Sequence, residues 1–152
     1  MTVYRFAHSK YANDLSGAGA RLHGGRWNQP GIPVLYTSWS VSLSLHEILA
    51  NALTLEQLRH FQLIKIDLPD HFSMYEIERS TLQNRWWNHF EYTQRLGTEI
   101  IKFEFPLIIK CPSAIVETEY NYLINPANES FKRLKHTVEV DFRFDERLFK
   151  FS

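Results

Sequence analysis

Residues 14–28, DLSGAGARLHGGRWN, hold four of the chain's six glycines together with two arginines and a tryptophan. Glycine loses more backbone freedom on folding than any other residue, so such a cluster marks tight turns or a close approach of the backbone to something else. Gly24-Gly25-Arg26 places two residues without side chains before a cation. Backbone amides bared by glycine line an anion pocket, and an adjacent guanidinium binds phosphate or carboxylate bidentately. The same segment also reads as a glycine turn carrying a surface arginine. Glu47 is a second candidate, because packing of its helix does not need it. Were Glu47 to meet Arg26 and Tyr36 across a cleft, the arginine would hold an anion, the tyrosine would stack on a flat ring, and the carboxylate would steady a positive charge. As a bare helix residue, Glu47 reads more readily as a solvated glutamate on the outer face.

Other chemistries find less support. A P-loop needs GxxxxGK[ST] and a dinucleotide turn GxGxxG, and neither pattern is met around Gly17 and Gly19. The seven histidines form no HExxH or HxxxH pair, and the nearest grouping of His23, His46 and His60 lacks metal-ligand spacing, so no metal is expected. Ser113 has no GxSxG setting. Cys111, the single cysteine, fits the role of a small buried hydrophobe and excludes an internal disulfide.

At 152 residues the chain reads as one domain spanning 1–152, large enough to bury a core unaided. Lys and Arg number 17, as do Asp and Glu, so no net field draws the chain to nucleic acid. Neither a signal peptide nor an apolar run of membrane-spanning length is present, which makes a soluble cytoplasmic protein the expectation, with no membrane and no direct nucleic-acid partner.

These residues need elements to position them. VYRF at 3–6, VLYT at 34–37, LIKIDL at 63–68 and LIIK at 107–110 read as strands, with a resumption at 114–116. Ser38 or Ser40 caps a helix running to about Ala52, whose inward stripe is Val41, Leu45, Ile48, Leu49 and Ala52. Residues 83–103 read as helical, with Trp86, Trp87 and Phe90 buried and a break or bend at Gly97. Val138, Val140, Phe142 and Phe144 alternate with charges, as on a half-buried strand. The irregular mixture of helices and strands predicts an α+β fold.

Taken in order, YRF (4–6), DLSGAGARLHGGRWN (14–28), PVLYTS (33–38), Glu47, Thr93-Gln94 with Gly97, CPSAIVETEYNYLINP (111–126) and FRFDERL (142–148) resemble the RES-domain family, named for an arginine, a glutamate and a serine. The resemblance covers nearly the whole chain. It implies an ADP-ribosyltransferase-like fold: two small antiparallel or mixed sheets with flanking helices around an NAD cleft. It implies the toxin half of a bacterial toxin–antitoxin pair whose partner is an Xre-like helix-turn-helix antitoxin. NAD is then the substrate, cleaved at the nicotinamide–ribose bond by water or by inorganic phosphate as co-substrate, or used to ADP-ribosylate a protein. A catalytically dead partner-binding module and a ribonuclease toxin are the remoter readings, the second opposed by the zero net charge.

Carried over by motif, the catalytic residues are Arg26, Tyr36, Glu47 and Ser113, and the NAD-binding set is Gly24, Gly25, Arg26, Trp27, Tyr36 and Ser113. The resemblance implies that Glu47 stabilises the oxocarbenium-like ribose, Arg26 pairs with the phosphates, Tyr36 stacks on nicotinamide and Ser113 hydrogen-bonds the ribose or the amide. Arg21 rivals Arg26 as the phosphate ligand. The segment SLSLHE, with His46 before the glutamate, departs from the small apolar residues usual there and leaves the helix register open.

Overall fold

The computed structural model describes residues 1–51 and 54–150. Seven strands form one mixed sheet in the order β4-β5-β6-β2-β1-β3-β7. They are β1 (Thr2–His8), β2 (Leu35–Ser38), β3 (Phe61–Asp67), β4 (Met74–Glu76), β5 (Ile108–Pro112), β6 (Tyr120–Ile124) and β7 (Lys135–Glu139). Only β4 and β5 pair in parallel. The expected two sheets are therefore one, although the join is thin. Strands β1 and β3 pair along their lengths, from Thr2↔Asp67 to His8↔Phe61. Strands β1 and β2 meet at the single registered pair Tyr4↔Ser38. The sheet is thus two well-paired halves hinged at one position.

Because successive strand residues point to opposite faces, each strand feeds two cores. Val3, Leu35, Ile64, Ile66, Ile108 and Ile124 pack together on one side. Ile109, Cys111 and Leu123 pack on the other with Trp27, Trp86, Ile100 and Ile101. The second face is the one that matters for function. In-register pairs Ser38↔Asn121 and Cys111↔Asn121 set three residues in a row across β2, β6 and β5 on that face.

Among the described residues there are four α-helices: α1 (Ala18–His23), α2 (Val41–Leu49), α3 (Leu55–Leu58) and α4 (Phe90–Glu99). Ser40 caps α2, its Oγ accepting from Leu43 N at 3.0 Å. Ala52, the expected helix end, lies outside the described residues. The inward face of α2 differs from the expected stripe. Leu43 and Ser44 are its buried residues, whereas Val41, Leu45, Ile48 and Leu49 are half-buried. Glu47, one turn after Leu43, therefore shares the inward face.

The helical stretch expected over 83–103 is interrupted. A 3-10 turn at Trp86–Asn88 precedes α4, and a π-helical turn at Ile100–Glu104 follows it. Trp86 is buried as expected, but Trp87 and Phe90 are exposed, at 44% and 48%. The alternating pattern near the C-terminus has a different basis from the expected one. Strand β7 ends at Glu139, Val140 is exposed, and Phe142 and Phe144 pack their rings on Phe6 with centroids 4.9 and 5.3 Å away. Residues 114–116 form a turn between β5 and β6 rather than a strand.

Candidate active site

The loop after α1 is built around Tyr36 and Asn28. The Tyr36 hydroxyl accepts from Trp27 N at 2.9 Å and donates to Asn28 Oδ1 at 2.6 Å. Buried Asn28 donates from Nδ2 to the carbonyls of Ala20 and Ile32, at 2.9 Å each. From α4, Gln94 Nε2 donates to Asn28 O at 3.1 Å and Thr98 Oγ1 accepts from Gln29 N at 2.9 Å. Two glycines permit these approaches. A Cβ on Gly25 would sit 2.6 Å from the Tyr36 hydroxyl, and one on Gly97 would sit 1.9 Å from Trp27 O. Gly24 closes α1 with its N–H on Ala20 O and is packed against Gln94 and Pro30. What the glycines of this loop lie close to is the protein itself, so the rigidity of the loop, more than bared amides, is what they supply.

That rigid loop presents Arg26. Its side chain is half-buried, and Nη1 is buried with no hydrogen-bond partner among the described residues. The guanidinium carbon lies 5.5 Å from the Phe90 ring centroid and 6.0 Å from that of Trp86. Burial lowers the pKa of Arg26, while the negative charge of Glu47 opposes that shift. A guanidinium remains protonated through such shifts. An unpaired buried cation donor is costly unless something anionic meets it. Arg21, by contrast, is exposed on α1.

Glu47 is held from the sheet. Its Oε1 accepts from Ser113 Oγ at 2.8 Å and from Asn121 Nδ2 at 2.7 Å. Ser113 Oγ in turn accepts from the backbone N–H groups of Ile115 and Val116 at 3.0 Å each. Ser38 Oγ donates to Asn121 Oδ1 at 2.7 Å, so both ends of the amide are bonded, the NH₂ group to Glu47. Oε2 of Glu47 has no hydrogen-bond partner among the described residues. Beside this network Cys111 is wholly buried, and burial, reinforced by the charge of Glu47, pushes its thiol pKa well up. It is a packing residue and no nucleophile.

The structure brings Arg26, Tyr36, Glu47 and Ser113 into one region. Ser113 is 1% exposed, with its proton given to Glu47 and its oxygen receiving two backbone N–H groups. The Tyr36 hydroxyl organises the Arg26 loop, and burial pushes the phenol pKa far above its ordinary value. Trp27, expected in the NAD-binding set, is 2% exposed, its ring lying in the core against Trp86 with centroids 5.6 Å apart. An indole beside a glycine turn looks available in sequence, but the carbonyl of Trp27 meets Gly97 and draws the residue inward. Asn121 has no role in the sequence reading, and Ser38 enters it only as one of two candidate helix caps. Their only signal was position, polar residues at strand ends within PVLYTS and NYLINP.

A cavity of about 400 Å³ adjoins the site, lined by Arg79, Arg85, Trp86, Trp87, Ser113 and Ile115 among others. A larger one of about 560 Å³, around Arg59 and Phe142–Arg147, shares no residue with it. Among the described residues no group of three or more His, Cys, Asp or Glu is placed to hold a metal, and no helix is long and apolar enough to cross a membrane. Among the described residues the arrangement amounts to a carboxylate with one unbonded oxygen and a cation whose buried Nη1 has no partner, set against aromatic rings. Such a pair suits a substrate that carries an anion and develops positive charge near it.

Over 154 residues the chain is 36% identical to "Toxin Res" of Photorhabdus laumondii, covering 99% of this chain and 98% of that protein. It is 30% identical to the "Prs ADP-ribosylating toxin" of a Sphingobium species, over 95% of this chain and 92% of the relative. The fold is shared with a chain in the crystal structure of the M. tuberculosis MbcT–MbcA toxin–antitoxin complex, at a TM-score of 0.72 and 22% identity, covering 90% of this chain and 82% of that one. The RES domain model matches residues 2–145, nearly the whole length, and the protein belongs to the RES domain family.

Proposed function

We propose that this RES domain is the toxin of a bacterial toxin–antitoxin pair and that it consumes NAD by breaking the nicotinamide–ribose bond. One observation carries the reading: Glu47 is locked through Oε1 with Oε2 free, while Arg26, electrically linked to it, holds a buried donor without a partner. NAD has the matching chemistry, a pyrophosphate for the guanidinium and a ribose that becomes cationic as neutral nicotinamide leaves with the bonding electrons. Glu47 Oε2 stabilises that charge at the anomeric carbon or its hydroxyls. Water then adds to the anomeric carbon and loses a proton, giving ADP-ribose. Phosphate adding there gives the 1-phosphate. Tyr36 and Gly25 keep Arg26 in place before and during the reaction, in a cleft read as ADP-ribosyltransferase-like.

The name of the Sphingobium relative favours a second reading, in which a protein side chain takes the ADP-ribose. The toxin–antitoxin complex that shares the fold supports an antitoxin partner, for which an Xre-like helix-turn-helix protein covering the cleft is the proposal. Inducing the chain in bacteria without a partner tests the main reading. Growth arrest with a collapsing NAD pool, absent in Glu47→Gln, is expected. Arrest with an intact NAD pool and ADP-ribose on cell proteins would move the assignment to the second reading.

A further inference from the structure

We infer that Asn121 is a positioning residue that, oriented by Ser38, aims the carboxylate of Glu47 at its substrate. The inference deepens the proposed NAD-cleaving reading and rests on it for its kinetic consequences. Glu47 stands on α2, a helix of nine residues, and the hydrogen bonds of its carboxylate are made to the sheet side and not within the helix. A glutamate has three side-chain torsions, and ordering them costs entropy unless partners define one state. The sheet supplies those partners. Ser113 approaches from the turn after β5 and Asn121 from β6, and both donate to the same oxygen, at 2.8 and 2.7 Å. Two donors on Oε1 leave Oε2 as the oxygen presented outward.

An asparagine amide is ambiguous by itself, since turning it over would aim its oxygen at Glu47 and repel the carboxylate. Glu47 and Ser38 together remove the ambiguity: the carboxylate only accepts and so takes the NH₂ group, while the Ser38 hydroxyl donates to Oδ1 at 2.7 Å. The register pair Ser38↔Asn121 makes this contact a property of the sheet. Hydrogen bonds to a charged group contribute about 1.5–3 kcal/mol, which sets the scale of the effect at about 10–100-fold in rate.

The test is steady-state nicotinamide release by purified protein carrying Asn121→Leu or Ser38→Ala, each alone and combined with Glu47→Gln. Asn121→Leu is expected to lower kcat about 10–100-fold with KM within about threefold, and to lower the residual rate of Glu47→Gln by no more than about twofold, because it acts through Glu47. Ser38→Ala, which leaves the amide in place, is expected to lose a smaller fraction of kcat. Equal losses in both backgrounds, or an unchanged kcat in Asn121→Leu, would overturn the inference and leave the proposed reaction standing. A wild-type protein that releases no nicotinamide would instead refute that reaction. The ¹⁵N side-chain amide signal of Asn121 then decides on its own. It is expected to be slow to exchange and to shift in Glu47→Ala, and an unshifted signal would sink the positioning role.

Discussion

Ser113 gives its single proton to Glu47 at 2.8 Å while its oxygen receives the N–H groups of Ile115 and Val116. The serine thus ties the carboxylate to the turn that follows β5. Replacing it by alanine removes a hydrogen bond to a charged group and leaves two backbone donors to find water. Ser113→Ala is expected to cost about 10–100-fold in kcat and about 1–3 kcal/mol in stability. Parallel assays of nicotinamide release and thermal melting check both effects. A fall in KM-linked affinity with unchanged kcat would mean that Ser113 touches the substrate after all.

Arg26 binds before and during the reaction if its buried Nη1 meets a phosphate. Arg26→Ala is therefore expected to weaken NAD binding about 10–100-fold and to lower kcat/KM at least as much. Arg21→Ala, at an exposed position on α1, is expected to change neither by more than about twofold. Calorimetry with the Glu47→Gln protein, where NAD survives the titration, measures the affinities. Reversal of the two results would make Arg21 the phosphate ligand.

The Arg26 loop has no room for a larger residue at Gly25. An added Cβ would lie 2.6 Å from the Tyr36 hydroxyl, which holds Trp27 N and Asn28 Oδ1. Gly25→Ala is expected to destabilise the fold by about 1–3 kcal/mol. Gly97→Ala, whose added Cβ would lie 1.9 Å from Trp27 O and 2.7 Å from Trp27 C, is expected to cost more. Tyr36→Phe keeps the ring and removes the hydroxyl, so it is expected to lose about 1–3 kcal/mol together with activity. Urea unfolding of the three variants ranks them.

Alkaline pH tests the buried face of the sheet. Burial raises the pKa of both Cys111 and Tyr36, so the folded chain keeps protons that the unfolded chain gives up. Above an unfolded thiol value of about 8.5 the unfolded state binds fewer protons, and stability falls as pH rises, by up to about 1.4 kcal/mol per pH unit for each group. The Tyr36 contribution begins near its unfolded value of about 10. The melting temperature is expected to decline from about pH 8.5 upward, and Cys111→Ala is expected to delay the onset toward pH 10. Coincident curves for the two proteins would contradict the assignment to Cys111.

Much of the framework was legible because it follows local rules. The strand runs at 3–6, 34–37, 63–68 and 107–110 and the Ser40 cap depend on β-branched content and capping chemistry. Arg26 and Glu47 stood out through residue type and motif. Other features were decided by tertiary contacts that no window contains. The apolar stripe of α2 pointed to Val41, Leu45, Ile48 and Leu49, yet bonds from Ser113 and Asn121 turn Leu43 and Glu47 inward. The motif of Trp27 suggests a ligand-facing ring, whereas its packing on Trp86 and the approach of its backbone to Gly97 are tertiary contacts. Asn121 became visible only when the β6 register placed it between Ser38 and Cys111. The single sheet was hidden for the same reason, since its two halves join at one pair, Tyr4↔Ser38.

The most direct measurement is nicotinamide released from NAD by the purified, partner-free protein, followed by chromatography beside Glu47→Gln, with and without phosphate, and with the ribosyl product weighed by mass spectrometry. The account expects release by the wild type and a loss of about 10²–10³-fold in Glu47→Gln, since the carboxylate acts on charge formed in the transition state. Equal release by both proteins, or none from folded wild type in either buffer, would contradict it.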